Sequence, residues 1–577
     1  MLQLSACKAT IAVVCLMIFF IVLSLGAVRQ KSPTFDETLH LFAGYSYLKW
    51  GDFGINAEHP PLAKLVAALP LLALPLNDRG LDKKERDLVQ SDRFHEWELA
   101  DRFLFLNNDG DKIFFYAKSM MALFGLTLGL VVFNWARELY GLGAASVALF
   151  LFVCDPNILA HSTLVHTDIP FALFFVAATY FFWRSLYHLS WPNLLLTSTC
   201  FALAAITKFS FVIIVPIWIV LGLVKIFAKA PQRSGITKPE IVTSRWGKAG
   251  LLIILLGSSL LICYLVIWLT YGLRFDAAPY ARAQLPSLIA AAKKPWLEQI
   301  VRFSSDYLFF PDSWIFGIAD AFHSLERPAY LLGEIAKDGF WLYFPITFLA
   351  KTPLPTLILI VVGLIYLIFS KNRLAGTMFL LVPVICFFAA AVWSHINIGI
   401  RHILPLYPFL FVWLGGVVAA LWARGSKSIR CALLLLATWT VGSTLAIHPD
   451  YLAYFNEAAG GPDHGHKILV DSNLDWGQDL KGLKTWMERN KVDKIQLAYF
   501  GTANPVYYGI DADYLPGTFF SRLSENAATA HKATHVAVSA TYLMGYNLLN
   551  PNAYSVLRQQ TPVAVIGHSI WVFKLKS

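Results

Sequence analysis

Charge is scarce in this chain. Of its 577 residues, 15% are Asp, Glu, Lys or Arg and 57% are hydrophobic, whereas soluble domains carry about 25% charged and 45–50% apolar residues. That shortage excludes an ordinary soluble globular protein. The seven cysteines (Cys7, Cys15, Cys154, Cys200, Cys263, Cys386 and Cys431) all fall in or beside apolar runs. None lies in a long polar stretch, so neither a disulfide framework nor a cysteine metal site is expected. The sequence also lacks internal repeats and low-complexity linkers. The net charge of +10 does not point to nucleic acid, because much of the excess sits in short loops between apolar runs.

Apolar stretches long enough to cross a bilayer recur instead. Eleven spans are expected near 9–28, 113–133, 142–158, 168–183, 193–207, 210–228, 249–271, 353–370, 376–393, 402–422 and 431–447. The first is longer than a signal-peptide core and is followed by basic residues, so it reads as a retained span. With the N-terminus cytoplasmic, the inner loops carry thirteen basic residues: Arg137, Arg184, Lys225, Lys229, Arg233, Lys238, Arg245, Lys248, Lys371, Arg373, Arg424, Lys427 and Arg430. The short outer connections carry only Lys208 and Arg401. This asymmetry sets the orientation, since basic residues resist translocation.

Three long segments then lie outside: 29–112, 272–352 and 448–577. Residues 60–76 and 340–353 are apolar but broken by proline, and are expected along the membrane interface. The expected organisation is a membrane domain over 1–447 and an extracytoplasmic α/β domain over 448–577. In the latter, KILVDS, KIQLAYFG, THVAVSATYL and PVAVIGHSIWVFKL read as strands. DWGQDLKGLKTWMERN reads as a helix capped by Asp475, with Gln478 three positions on.

The first outer loop concentrates the chemistry. Asp36 and Glu37 place two carboxylates a few residues from the bilayer. A carboxylate at a water–lipid boundary suits removal of a proton from an incoming hydroxyl, which is typically worth about 10²–10⁴ in rate. The same residues also fit a plain structural pattern. Thr34 to Glu37 is a Thr-x-x-Glu capping box, with Asp36 favouring the positive end of the helix that follows. Further along, AEHPPLAK supplies Glu58, His59 and Lys64. The Pro-Pro pair holds the acid and the imidazole in an extended backbone.

FDET followed by EHPPLAKL, in this order after a first span, resembles the protein O-mannosyltransferases and the lipid A aminoarabinose transferase. These are GT-C membrane glycosyltransferases of family 39. The likeness covers about the first 210 residues; beyond them only the architecture is shared. It implies a helical polytopic GT-C fold that transfers a sugar, with inversion, from a polyprenyl-phosphate donor to an acceptor hydroxyl on the extracytoplasmic face. The acceptor is a lipid-linked glycan, an envelope lipid or a protein. The resemblance further implies Asp36 as base, Glu37 as its neighbour, and Glu58 and His59 as shapers of the pocket. His40 lies four residues after Asp36 where the mannosyltransferases have three, so its role does not carry over.

Supporting positions follow. Asp168 with Pro170 resembles the second acidic position of these transferases, and equally makes a good helix start. His161 and His166 could join carboxylates around a divalent ion, although their spacing matches no metal motif. The sequence identifies no definite cofactor and leaves a divalent metal ion, with its ligands, open. Lys118 falls near the outer end of the second span, where family members place a basic residue that implies contact with lipid phosphate; snorkelling explains it equally. Lys208, Arg401 and His402 stand in short outer connections where basic residues are disfavoured, which suits binding of an anionic donor. A lipid transporter or flippase, the competing class, would show mid-span charges and related halves. This sequence has few of the former and none of the latter.

Overall fold

The computed structural model describes residues 6–227, 232–234, 240–242, 244–278, 285, 289, 295–323, 327–369, 376–394, 396–522 and 533–575. The loop cations Lys229, Lys238, Lys371 and Arg373 lie outside the described residues.

Each expected span corresponds to a helix, but not every helix crosses by itself. Among the described residues eight helices are long and apolar enough to do so, or ten if each of two bent pairs is one span. The expected 142–158 span is such a pair, Leu142–Val153 and Pro156–Ser162, bent by 67°. Asp155 forces this break: its side chain accepts from Asn157 N and Ile158 N and starts a new helix with Pro156 at its first position. The second pair, Tyr343–Lys351 and Leu354–Phe369, bends by 111° at Thr352–Pro353. The expected 193–207 span is Trp191–Ala205, whose 15 residues fall short of a full crossing. The count of eleven is therefore corrected to eight to ten, because polar caps and prolines divide apolar runs that composition alone reads as continuous.

The Asp168–Tyr187 and Leu406–Arg424 helices are the most deeply packed, whereas the first and the last spans keep most of their surface outward. In the first loop, Glu37–Trp50 lies against Leu62–Ala68. A Cβ on Gly44 would come within 2.1 Å of the Lys64 carbonyl, so glycine is what permits this approach. Residues 62–73 form a short apolar helical stretch.

Near the C-terminus, among the described residues, five strands form a mixed sheet in the order Asp511–Tyr514, Lys494–Ala498, His535–Ser539, Ile570–Lys574, Ala564–Ile566. The first three run parallel and the last two pair antiparallel. The helix is Leu480–Arg489. Two expectations fail here. KILVDS is not a strand but a tight turn through Asp471–Asn473. Asp475 does not cap the helix: its Oδ2 accepts from Thr541 N at 2.9 Å, tying this loop to the sheet. Gln478 Oε1 instead accepts from Trp476 N.

The C-terminal segment is stitched to the first loop. Ser32 N donates to Gln478 O, Phe35 N donates to Trp476 O, and Thr502 Oγ1 donates to Phe35 O. This junction sits directly beside Asp36.

Candidate active site

Asp36 precedes the Glu37–Trp50 helix and keeps about 30% of its side chain open. Its Oδ2 lies 3.3 Å from His166 Nε2 and 3.4 Å from Arg401 Nη1. Burial by itself would raise the pKa of this acid. The His166 contact and the Arg401 charge outweigh that effect and hold Asp36 ionised, well below the usual carboxylate range.

His166 is the hub. Its Nε2 lies 2.7 Å from Arg401 Nη1, and its Nδ1 lies 2.7 Å from Asp168 Oδ2, off the hydrogen-bond line. Burial opposes charging of this ring, but the Asp168 and Asp36 carboxylates raise its pKa above the ordinary value. Asp168 is buried at the first position of its helix and accepts from Lys208 Nζ at 2.6 Å. Arg401 is also buried, with its guanidinium carbon 4.4 Å from the Trp476 ring centroid, a stacking that suits a desolvated cation. Arg401 is aimed by its backbone. Ile400 N donates to Asn473 Oδ1, and Gly399 adopts φ +136°, where a Cβ would meet Ser472 Oγ at 2.3 Å. His402 lies next to these groups; its buried Nε2 has no hydrogen-bond partner among the described residues, and burial keeps its ring neutral.

Not every expected residue faces this cluster. Glu37 is fully buried, and all its acceptor capacity is used. Oε2 accepts from Thr34 N, Thr34 Oγ1 and Lys118 Nζ, and Oε1 accepts from Val165 N. Only the Glu37 half of the expected capping box forms, since Thr34 Oγ1 donates to Glu37 and the residue preceding the helix is Asp36. These buried contacts turn Glu37, expected beside the base, away from the Asp36 cluster. Lys118 is paired with Glu37 at 2.8 Å. Lys64 is likewise turned away. It is buried, and its ammonium donates to the carbonyls of Asn56 and His59 and to the Tyr47 hydroxyl, pinning the loop that carries Glu58 and His59. Burial lowers its pKa to about 7. Glu58 is part-exposed 3.5 Å from Arg327, and burial raises its pKa despite that arginine.

Three imidazoles converge: the ligand-capable nitrogens of His40, His59 and His166 lie within 4.8 Å of one another. Imidazoles suit a zinc-class ion. His40 Nδ1 donates to Val165 O, which leaves its Nε2 lone pair free. His166 Nε2, by contrast, lies 2.7 Å from Arg401 Nη1, so an ion held by all three rings would compete with that guanidinium for His166.

Sequence reasoning missed Trp476, Asn473 and His40. Trp476 and Asn473 arrive from about 440 residues away in sequence, and nothing local distinguishes Trp476 among eighteen tryptophans. His40 had a usable signal, being one helical turn beyond Asp36.

The chain has the fold of a helical polytopic membrane protein with a small C-terminal mixed-sheet domain, similar to solved membrane transferases. Residues 110–268 match the family model described as dolichyl-phosphate-mannose-protein mannosyltransferase. This match begins beyond the first-loop motifs, so it is independent of the resemblance that they carry. ArnT from Cupriavidus metallidurans bound to undecaprenyl phosphate is similar at 12% identity and a TM-score of 0.50, covering 97% of this chain and 97% of that one. The S. cerevisiae Pmt1–Pmt2 complex bound to its sugar donor is 18% identical with a TM-score of 0.35, over 47% of this chain. The match spans only 34% of that protein's length. The archaeal oligosaccharyltransferase AglB from Archaeoglobus fulgidus, in complex with an inhibitory peptide and a dolichol-phosphate, gives 12% identity and a TM-score of 0.42 over 92% of this chain and 71% of that one. At these identities the likeness is one of fold. No curated protein matches the chain.

Proposed function

We propose that this multi-pass membrane protein moves a sugar from a polyprenyl-phosphate carrier to an acceptor hydroxyl on the extracytoplasmic face, with inversion. The observation that carries the reading is an ionised, part-open Asp36, near the start of the first outer loop, held between His166 and a buried Arg401. The basic inner loops support the orientation.

The acceptor hydroxyl gives its proton to the Asp36 carboxylate as its oxygen bonds to the anomeric carbon. The bond from that carbon to the phosphate oxygen breaks on the opposite side, and the phosphate leaves with the electron pair. Arg401 is the cation placed to hold that charge, with Lys208 near it through Asp168. A strongly acidic Asp36 is a poor base while Arg401 neutralises it. Engagement of Arg401 by the donor phosphate shares out that positive charge and makes Asp36 more basic, so deprotonation waits for the donor. Glu37, Lys118 and Lys64 act as positioning residues, and residues 448–577 act as an extracytoplasmic unit that completes the site wall through Trp476.

Mass spectrometry of envelope lipids, glycans and glycoproteins from cells with and without the gene tests the reading and identifies sugar and acceptor. Asp36→Asn is expected to lower product formation by about 10²–10⁴. Full product from a well-folded Asn variant would remove Asp36 from the mechanism.

A further inference from the structure

A cavity of about 330 Å³ lies between the end of the first span and the start of the Gly110–Tyr140 helix, and Asp36 is not among its lining residues. Its wall carries Arg29, Lys31, Lys112, Lys118 and Lys481 against one carboxylate, Asp111. Three of these cations are already paired: Lys31 with Asp450 and Asp479, Lys118 with Glu37, and Lys481 with Asp111. Arg29 and Lys112 are exposed and make no ion pair among the described residues. Arg29 lies 5.5 Å from the Phe115 ring centroid. Phe115 and the exposed Tyr116 complete the outer lip.

This arrangement has three physical consequences. Cations from three separate parts of the chain converge on one hollow, which favours a ligand with several acceptor oxygens. The hollow sits where an apolar helix ends in Arg29 and an aromatic pair follows, the usual dress of a membrane–water boundary. Val28 and Phe114 give the hollow an apolar side next to its cations.

We infer that this cavity is a binding site for the phosphate headgroup of an anionic lipid, separate from the Asp36 centre. The same phosphate chemistry could come from a bulk phospholipid or from a polyprenyl phosphate. Lys118 joins the site to the catalytic loop, since its ammonium lines the cavity and bonds to Glu37, the residue after Asp36. Occupancy therefore bears on the segment that carries the base, although the proposal concerns binding and stands whether or not Asp36 is catalytic.

The test uses the full chain in detergent, titrated with dioleoyl phosphatidylglycerol, undecaprenyl monophosphate, dioleoyl phosphatidylcholine or inorganic phosphate, and read by native mass spectrometry. Arg29→Gln/Lys112→Gln should lose one bound anionic lipid, with affinity falling about 10–30-fold given the typical worth of two interfacial cations. Lys491→Gln, on a distant exposed surface, should bind as the native chain does. Loss confined to phosphatidylglycerol identifies a phospholipid site, and loss confined to undecaprenyl phosphate identifies the carrier. Unchanged binding of both lipids by a double variant with native melting behaviour overturns the inference, as does equal retention of phosphatidylcholine or preference for inorganic phosphate.

Discussion

Asp101 in the first loop is buried, and both its oxygens accept from Asn504 Nδ2, at 2.9 and 3.1 Å, across the junction with the C-terminal segment. Burial pushes its pKa up from 3.8 to about 6. A raised folded-state pKa in an acid means that the folded protein binds the proton more tightly than the unfolded chain. Stability therefore falls as pH rises from near 4 to near 6, and the charged side chain costs about 3 kcal/mol at pH 8. Asp101→Asn removes that charge. Asn504 is fixed by its own Oδ1 accepting from Val506 N, so its amide N–H groups stay aimed at position 101, and the new amide gives up one of the two hydrogen bonds. That loss costs about 1 kcal/mol. The expected net gain is about 2 kcal/mol at pH 8, turning to a loss of about 1 kcal/mol near pH 4, where the native aspartic acid is largely neutral and only the lost hydrogen bond counts. Thermal unfolding of the detergent-solubilised chain at both pH values reads this directly. A variant destabilised equally at pH 4 and pH 8 would refute the reasoning, since it would mean that the ionised carboxylate is what holds Asn504.

Other expectations follow from the site. Arg401→Gln leaves Asp36 and His166 without their cation and should lower kcat/KM for the lipid donor about 10²–10⁴-fold, in line with loss of one member of a buried charge pair. The acid limb of its pH profile should lie above that of the native enzyme, because burial then raises Asp36 with less opposition; Arg401→Lys should keep the limb in place while losing rate. Trp476→Ala removes the ring behind Arg401 and should cost about 10-fold or more in turnover, whereas Trp476→Phe should retain most of it, as competing donor assays would show. Lys64→Met removes the donor to the His59 carbonyl and one of the two donors to the Asn56 carbonyl, which keeps the Tyr47 hydroxyl. A lowered melting temperature is expected, since each unpaired buried acceptor costs about 1–3 kcal/mol, together with a fall in kcat as the Glu58–His59 loop loosens.

The sequence alone determined that the chain is a polytopic membrane protein, and hydrophobic run length located a helix at every expected span. Local sequence also singled out Asp36, the acid immediately before the Glu37–Trp50 helix. Tertiary structure alone decided which charged residues work together. Glu37 and Lys118 neutralise each other, Lys64 faces inward to carbonyls, and Arg401 reaches Asp36 across 365 residues because Asn473 and Trp476 hold it there. Hydrophobic periodicity and caps are local properties written within a few turns of chain. The partner of a buried charge is chosen by desolvation, which makes an unpaired ion costly and depends on whatever distant segment the fold brings alongside.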